Sequence, residues 1–245
     1  MVDVASDFDG AESDGIIGLA PTSNDGAELL VDVLANSGVI DKKEFTVYIG
    51  KSGVDDSYIE FGSNTDDKTN ITYLALSPLS TGQPQFYWST KLSSFKYGTS
   101  EFSFTTANTV WDTGTSILGM SSSNLKRFIL FVANGKNAGL LDGGFYAIKC
   151  NSISDFEDIH FTFGSQTINV SKYEYLIKSG GLCVFMIFEL SEQEDFILLG
   201  DSFLRGMKIV HNVQGLKLGF YPQRTYKYGN DDSSSLLWLW ILLGC

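Results

Sequence analysis

Histidine and cysteine are scarce in this chain of 245 residues: two His and three Cys in all. No Cys-x-x-Cys occurs and the histidines lie far apart, so no zinc-type spacing is present. His160 and His211 fall in strand-like runs and read as packed or surface residues rather than catalytic ones. Basic residues are also few. Lys and Arg number 17 against 29 Asp and Glu, a net charge of −12. That balance excludes a nucleic-acid partner, because binding phosphates takes Lys and Arg. It suits work at low pH, where carboxylates become partly neutral. No Gly-x-Ser-x-Gly elbow marks a serine hydrolase. Gly50-Lys51-Ser52 lacks the upstream glycine of a phosphate loop, since Phe45 stands in its place.

Long apolar runs are missing as well. The acidic start, "MVDVASDFDGAESDG", has no apolar core of the kind a signal peptide carries. The one apolar tail, Leu236 to Cys245, is too short to span a bilayer, which needs ~20 residues. Membrane association is left open by that tail. It reads either as part of an anchor signal, a polar spacer followed by an apolar stretch, or as a terminal segment that packs on another surface.

Strand signals fill the rest. Runs such as "FTVYIG" (45–50), "YIEFG" (58–62), "ITYLAL" (71–76), "QFYWSTKLSSFKYG" (85–98) and "EFSFTT" (101–106) are punctuated by Gly, Asn, Asp and Ser. Further runs follow at 144–150, 159–164, 167–170, 183–190, 196–200, 208–213 and 217–222. Only 26–38 and 122–135 carry helical spacing of apolar residues, and each ends in Gly. Lys126-Arg127 reads as the solvated face of the second helix. The class is mainly β. At this length a large core is available, as one large β domain or two smaller ones. Cys150 and Cys183 either pair, closing a loop worth ~3 kcal/mol in the chain-entropy model, or remain two buried thiols. Asn70-Ile71-Thr72 and Asn169-Val170-Ser171 fit the N-glycosylation triplet.

Asp112-Thr113-Gly114-Thr115-Ser116 carries the chemistry. Val110 and Trp111 precede it, and Ile117 and Leu118 follow. Apolar flanks seat such a turn at the end of buried strands. Gly114 permits a tight turn and close backbone approach. Thr113 and Thr115 supply hydroxyls that can orient the Asp112 carboxylate. An Asx-turn between two strands fits the bare triplet as well. Two short segments, "DGIIGLA" (14–20) and "FILLGDS" (196–202), each place two aliphatics before a glycine and form a weak internal repeat. Asp201, which follows the second, reads as a turn or helix cap.

Together these segments resemble the pepsin-like aspartic proteases of peptidase family A1. Val110 to Leu118 matches that family's C-terminal Asp-Thr-Gly-Thr-Ser segment. Leu198-Leu199-Gly200-Asp201-Ser202-Phe203 and the following "LRGMKIVHNVQGLKLGFYP" match its later strand segment. "DGIIGLA", "EFTVYIG" and "SYIEFG" match earlier family segments, so the resemblance covers about residues 14–222. It implies a bilobal β-barrel fold, here N-terminally truncated. Residues 1–75 would complete the N-terminal lobe and its share of an interlobe sheet. Residues 76–224 would form the C-terminal catalytic lobe, and 225–245 a polar spacer and apolar tail. Cys150 and Cys183 fall where this lobe usually carries a disulfide. The implied activity is endopeptidase cleavage of peptide or protein substrates with no metal and no cofactor. A secreted or lysosomal/vacuolar location and a monomeric full-length form are implied too.

The implied reaction uses a water held between two Asp carboxylates that share one proton. Asp112 would be one of them. Thr113 would lock the turn against the opposite lobe, Gly114 would pass close to the water, and Thr115 would hydrogen-bond the carboxylate. Ser116 completes the motif. No second Asp-Thr-Gly or Asp-Ser-Gly occurs. Gly200 lies 88 residues after Asp112, and the same separation from Gly18 puts the partner Asp about 70 residues before Met1. The chain alone is therefore expected to be inactive. The alternative is a non-catalytic binding protein, or an inactive fragment, on the same fold. Ile16-Ile17-Gly18 and Leu198-Leu199-Gly200 are expected in equivalent strands related by an approximate twofold.

Overall fold

The computed structural model describes residues 16–23, 25–50, 55–64 and 70–221. In chain order the first elements are helix α1 (Leu30–Asn36) and strands β1 (Glu44–Tyr48), β2 (Tyr58–Phe61), β3 (Thr72–Ala75), β4 (Ser89–Lys91), β5 (Ser94–Tyr97) and β6 (Ser100–Glu101). Next come β7 (Asn108–Trp111), β8 (Leu118–Ser121), α2 (Ser122–Ala133), β9 (Ala138–Leu140), β10 (Tyr146–Lys149), β11 (Ile159–Phe163) and β12 (Gln166–Val170). The last are α3 (Lys172–Tyr175), β13 (Leu176–Ser179), β14 (Leu182–Phe185), β15 (Ile187–Leu190), β16 (Ile197–Leu199), α4 (Asp201–Leu204), β17 (Lys208–Asn212) and β18 (Lys217–Phe220).

These strands make four sheets, as the mainly β composition led one to expect. The orders are β2-β1-β17-β18-β3, β4-β7-β16-β8-β15, β12-β11-β5-β6 and β13-β14-β10-β9. The first is antiparallel throughout and joins strands from both ends of the described chain, with Phe45 opposite His211 and Gly219 opposite Tyr73. The second is mixed. β16 runs parallel to β7 on one side and antiparallel to β8 on the other.

Aromatic side chains bind the layers together. Phe161 and Phe163 of β11 pack on Phe203, and Phe163 also meets Trp111 and Phe220. All five are 2% exposed or less, so this contact is the dry centre of the molecule. Helix α2 covers the core through Leu125, Phe128, Ile129, Val132 and Ala133. Lys126 and Arg127 lie on its exposed side, as the spacing required.

Local differences from the sequence reading have clear causes. The run 85–98 is two strands in different sheets, and 183–190 breaks at Met186, whose N–H donates to the Tyr175 carbonyl. Continuous apolar composition cannot reveal where a strand leaves one layer for the next. The run 101–106 is strand only at its start. Beyond Glu101 the chain turns to stack Phe102 and Phe104 edge-on against Phe95, with Phe102 also on Phe128. Ile16-Ile17-Gly18 is not in a strand. Ile16 and Ile17 are 81% and 72% exposed, and no described strand offers them a ladder to join. The expected twofold equivalence with Leu198-Leu199-Gly200 therefore does not hold in this structure. The apolar tail, 236–245, lies outside the described residues. Among the described residues no helix is long and apolar enough to cross a membrane.

The Cys150–Cys183 bridge is formed, with the Cα atoms 5.7 Å apart. Cys183 lies in β14 opposite Ile148 of β10, so pairing of these two strands brings Cys150, one residue beyond β10, to its partner.

Candidate active site

The Asp112 turn is positioned by burial of what precedes and follows it. Val110 and Trp111 are 4% and 2% exposed, and Leu118 is fully buried. Trp111 also donates its indole N–H to the Thr90 hydroxyl at 2.9 Å, so its polar atom is satisfied inside the core. β7 and β8 are thus pinned, and residues 112–117 must bridge their ends.

β16 enters between those two strands and fixes the turn from beneath. The Asp112 N–H donates to the Leu199 carbonyl at 3.0 Å. Past Gly200, the Asp201 N–H donates to the Thr115 carbonyl at 2.8 Å and the Ser202 N–H to the Ser116 carbonyl at 3.1 Å. Gly200 makes this close approach feasible. A Cβ placed there would lie 2.4 Å from both the Thr115 and Ile117 carbonyl oxygens. No side chain fits at that distance, so glycine is required for packing rather than for its dihedral freedom.

Within the turn the carboxylate is held at both oxygens. Asp112 Oδ1 accepts from the Gly114 N–H at 2.9 Å, and Oδ2 accepts from the Thr115 hydroxyl at 2.7 Å. The Thr115 contact is the one expected from the sequence. Asp112 and Thr115 are half-buried, whereas Thr113, Gly114 and Ser116 are exposed. The result is a carboxylate with fixed orientation at an accessible surface. Thr113 lies exposed next to the carboxylate.

Asp201 differs from the reading as a cap. It is the first residue of α4, Gly200 is the N-cap, and no side-chain cap bond is made there. Its Oδ1 is shut off from solvent and has no hydrogen-bond partner among the described residues. Burial pushes its pKa up to about 6, the negative charges of Asp112 and Glu174 add to the rise, and Arg205 opposes it. Arg205 in turn forms an ion pair with Glu174 at 3.2 Å, with both side chains largely buried. A line of charges, Glu174, Arg205, Asp201 and Asp112, therefore runs out to the turn. Sequence reasoning missed this line because Glu174 precedes Arg205 by 31 residues and no local pattern links them.

His211 is 2% exposed, stacked on Phe45 with ring centroids 4.4 Å apart and edge-on to Trp88. His160 is half-buried in β11. Neither is part of the turn. Among the described residues no group of three or more His, Cys, Asp or Glu is arranged to hold a metal ion.

In the mixed sheet, β16 is threaded between the two arms of the Asp112-Thr113-Gly114 turn. The sequence profile described as eukaryotic aspartyl protease matches residues 3–223, and the chain belongs to that family. It is 31% identical over 238 residues to Aspartic protease 6 of Caenorhabditis elegans, covering 89% of this chain and 56% of that protein. It is 28% identical over 218 residues to Pepsin A of Gallus gallus, covering 85% and 55%. Vacuolar protease A of Arthroderma otae is 25% identical over 186 residues, covering 74% and 44%. The chain thus spans about half the length of the curated relatives it matches.

Proposed function

We propose that the chain supplies one of the two carboxylates of an aspartic endopeptidase, and that Asp112 is that carboxylate. The observation that carries the reading is the grip on Asp112: one oxygen on a backbone N–H, the other on the Thr115 hydroxyl, in a turn wedged on Leu199 and Gly200. Such a carboxylate is oriented before substrate arrives, so little is lost in ordering it at the moment of reaction.

In the complete site two like charges so close cannot both ionise. One carboxylate deprotonates the water, while the other, protonated, polarises the scissile carbonyl. The pair titrates as a unit, so acid and base are roles of the pair rather than of Asp112 alone. Gly114, exposed beside the carboxylate, leaves room for the water, and exposed Thr113 is available to a matching turn. Substrates are extended peptides, with hydrophobic side chains favoured by the family relationship. We read residues 1–75 as the end of a first lobe with its share of the interlobe sheet, 76–224 as the second lobe, and 225–245 as spacer and tail. The Cys150–Cys183 bridge supports a secreted or vacuolar location, since such bonds persist in oxidising compartments.

Residues 1–245 alone hydrolyse peptides negligibly on this reading. General acid–base help is worth ~10²–10⁴-fold, and a single carboxylate forgoes at least one such contribution. The assay is cleavage of a denatured protein at acid pH by the purified chain, beside Asp112→Asn. Robust cleavage abolished by the substitution would mean that one chain, or a dimer of it, assembles the whole site. Cleavage untouched by the substitution would remove Asp112 from the chemistry.

A further inference from the structure

The triplet Asn169-Val170-Ser171 has no part in the chemistry of the Asp112 turn, yet its placement is well suited to modification. In β12, Ile168 and Val170 are fully buried, whereas Thr167 and Asn169 are exposed. The strand therefore has a core face and a solvent face, and Asn169 is on the latter. β12 is the outer strand of its sheet and pairs with β11. The inner face of that sheet covers the layer that carries Asp112, through Phe161 and Phe163 against Phe203 and Trp111. A group attached at Asn169 points away from the Asp112 turn.

The local hydrogen bonds tolerate such a group. Asn169 Nδ2 donates to Asp158 Oδ2 at 3.3 Å, and the other Asp158 oxygen accepts from the Lys172 N–H at 2.9 Å. An amide substituted once at nitrogen retains one N–H, so the bond to Asp158 can persist. The Ser171 hydroxyl oxygen accepts from the Tyr173 N–H at the start of α3. The Cys150–Cys183 disulfide is of a kind that forms in the oxidising lumen through which secretory proteins pass, and N-linked carbohydrate marks surface positions of such proteins.

We propose that Asn169 is an attachment site for N-linked carbohydrate. The donor is an oligosaccharide on a polyprenyl pyrophosphate. The Asn169 amide nitrogen forms a bond to sugar C1, and the bond from C1 to the pyrophosphate oxygen breaks. The lipid pyrophosphate leaves with that electron pair, and one amide proton is lost. Transfer takes place on the extended chain before β12 pairs with β11. In the folded protein the carbohydrate stands on the solvent face of β12, the outer strand of its sheet among the described residues.

The test uses the protein isolated from the cells that make it, treated with peptide N-glycosidase in heavy-oxygen water and read by peptide mass spectrometry. The expected result is Asn169 converted to heavy-oxygen-labelled Asp. Recovery of Asn169 only as unlabelled Asn would overturn the proposal. In eukaryotic cells secreting the chain behind a leader, N169Q is expected to remove one mobility step and S171T to keep it. N70Q, at the other acceptor triplet, is expected to leave the Asn169 label in place. Loss of that label in N70Q, or an unchanged step in N169Q, would count against the site. Should N169Q fail to be secreted, the labelled peptide from the unaltered chain decides alone.

Discussion

His211 sets a limit on acid stability. It lies in β17, the central strand of the antiparallel sheet β2-β1-β17-β18-β3, stacked on Phe45 and edge-on to Trp88. Its Nδ1 is buried without a hydrogen-bond partner among the described residues. Burial lowers its pKa from 6.5 to about 3, with backbone contacts at Ile209 and Phe45 opposing weakly. The neutral ring is the form the fold accepts. Below pH 6.5 the unfolded chain takes up a proton that the folded chain refuses, so stability falls as pH drops from there towards 3. Each pH unit costs about 1.4 kcal/mol, so the loss reaches roughly 3 kcal/mol by about pH 4. His211→Phe keeps an aromatic ring between Phe45 and Trp88 and removes the proton site. The assay is urea unfolding of both proteins at about pH 7 and about pH 4, compared as a difference of differences so that groups common to both cancel. Phe at 211 is expected to reduce the acid loss by roughly 3 kcal/mol. At neutral pH its stability should be equal or higher, since an unsatisfied buried polar atom costs ~1–3 kcal/mol. An identical pH dependence in the two proteins would refute the argument.

Other outcomes follow from the same geometry. Asp201, raised to about 6, favours the fold in its protonated form, so its contribution is complete below its ordinary value of 3.8 and is lost as pH rises through 6. Asp201→Asn should remove that slope, on the order of 1–2 kcal/mol after allowance for solvent screening, in unfolding measured across this window. Gly200→Ala should destabilise by roughly 3 kcal/mol or more, because its Cβ meets two backbone carbonyls that cannot move aside cheaply. A wild-type denaturation midpoint for that variant would show that the turn and β16 are looser than described. Replacing Cys150 and Cys183 together by Ala opens a loop of 33 residues and should cost roughly 3–4 kcal/mol in the chain-entropy model, read by urea unfolding. Equal stability with and without the bridge would mean that the unfolded chain is already compact there.

The sequence by itself determined the mainly β class and the local contact between Asp112 and Thr115. Local composition is enough where a signal is local: alternating apolar residues for β11 and β12, and helical spacing for α2. The same holds for a Thr three residues from Asp112, close enough to bond it whatever lies beyond the turn. Only the tertiary structure decided which strands share a sheet, because β7 and β16 are parallel neighbours far apart in the chain. Glu174 and Arg205 are also separated in sequence, by 31 residues, and only folding joins them and brings their charges to bear on Asp201. Gly200 shows the division within one residue. Its place after two aliphatics is visible in the sequence, but its reason, two carbonyl oxygens 2.4 Å from where a Cβ would stand, exists only once the turn is folded onto β16. Ile16 and Ile17 show the converse. Two aliphatics before a glycine suggest a buried strand, yet burial depends on a neighbouring strand, and among the described residues none pairs with Ile16 and Ile17, which are exposed.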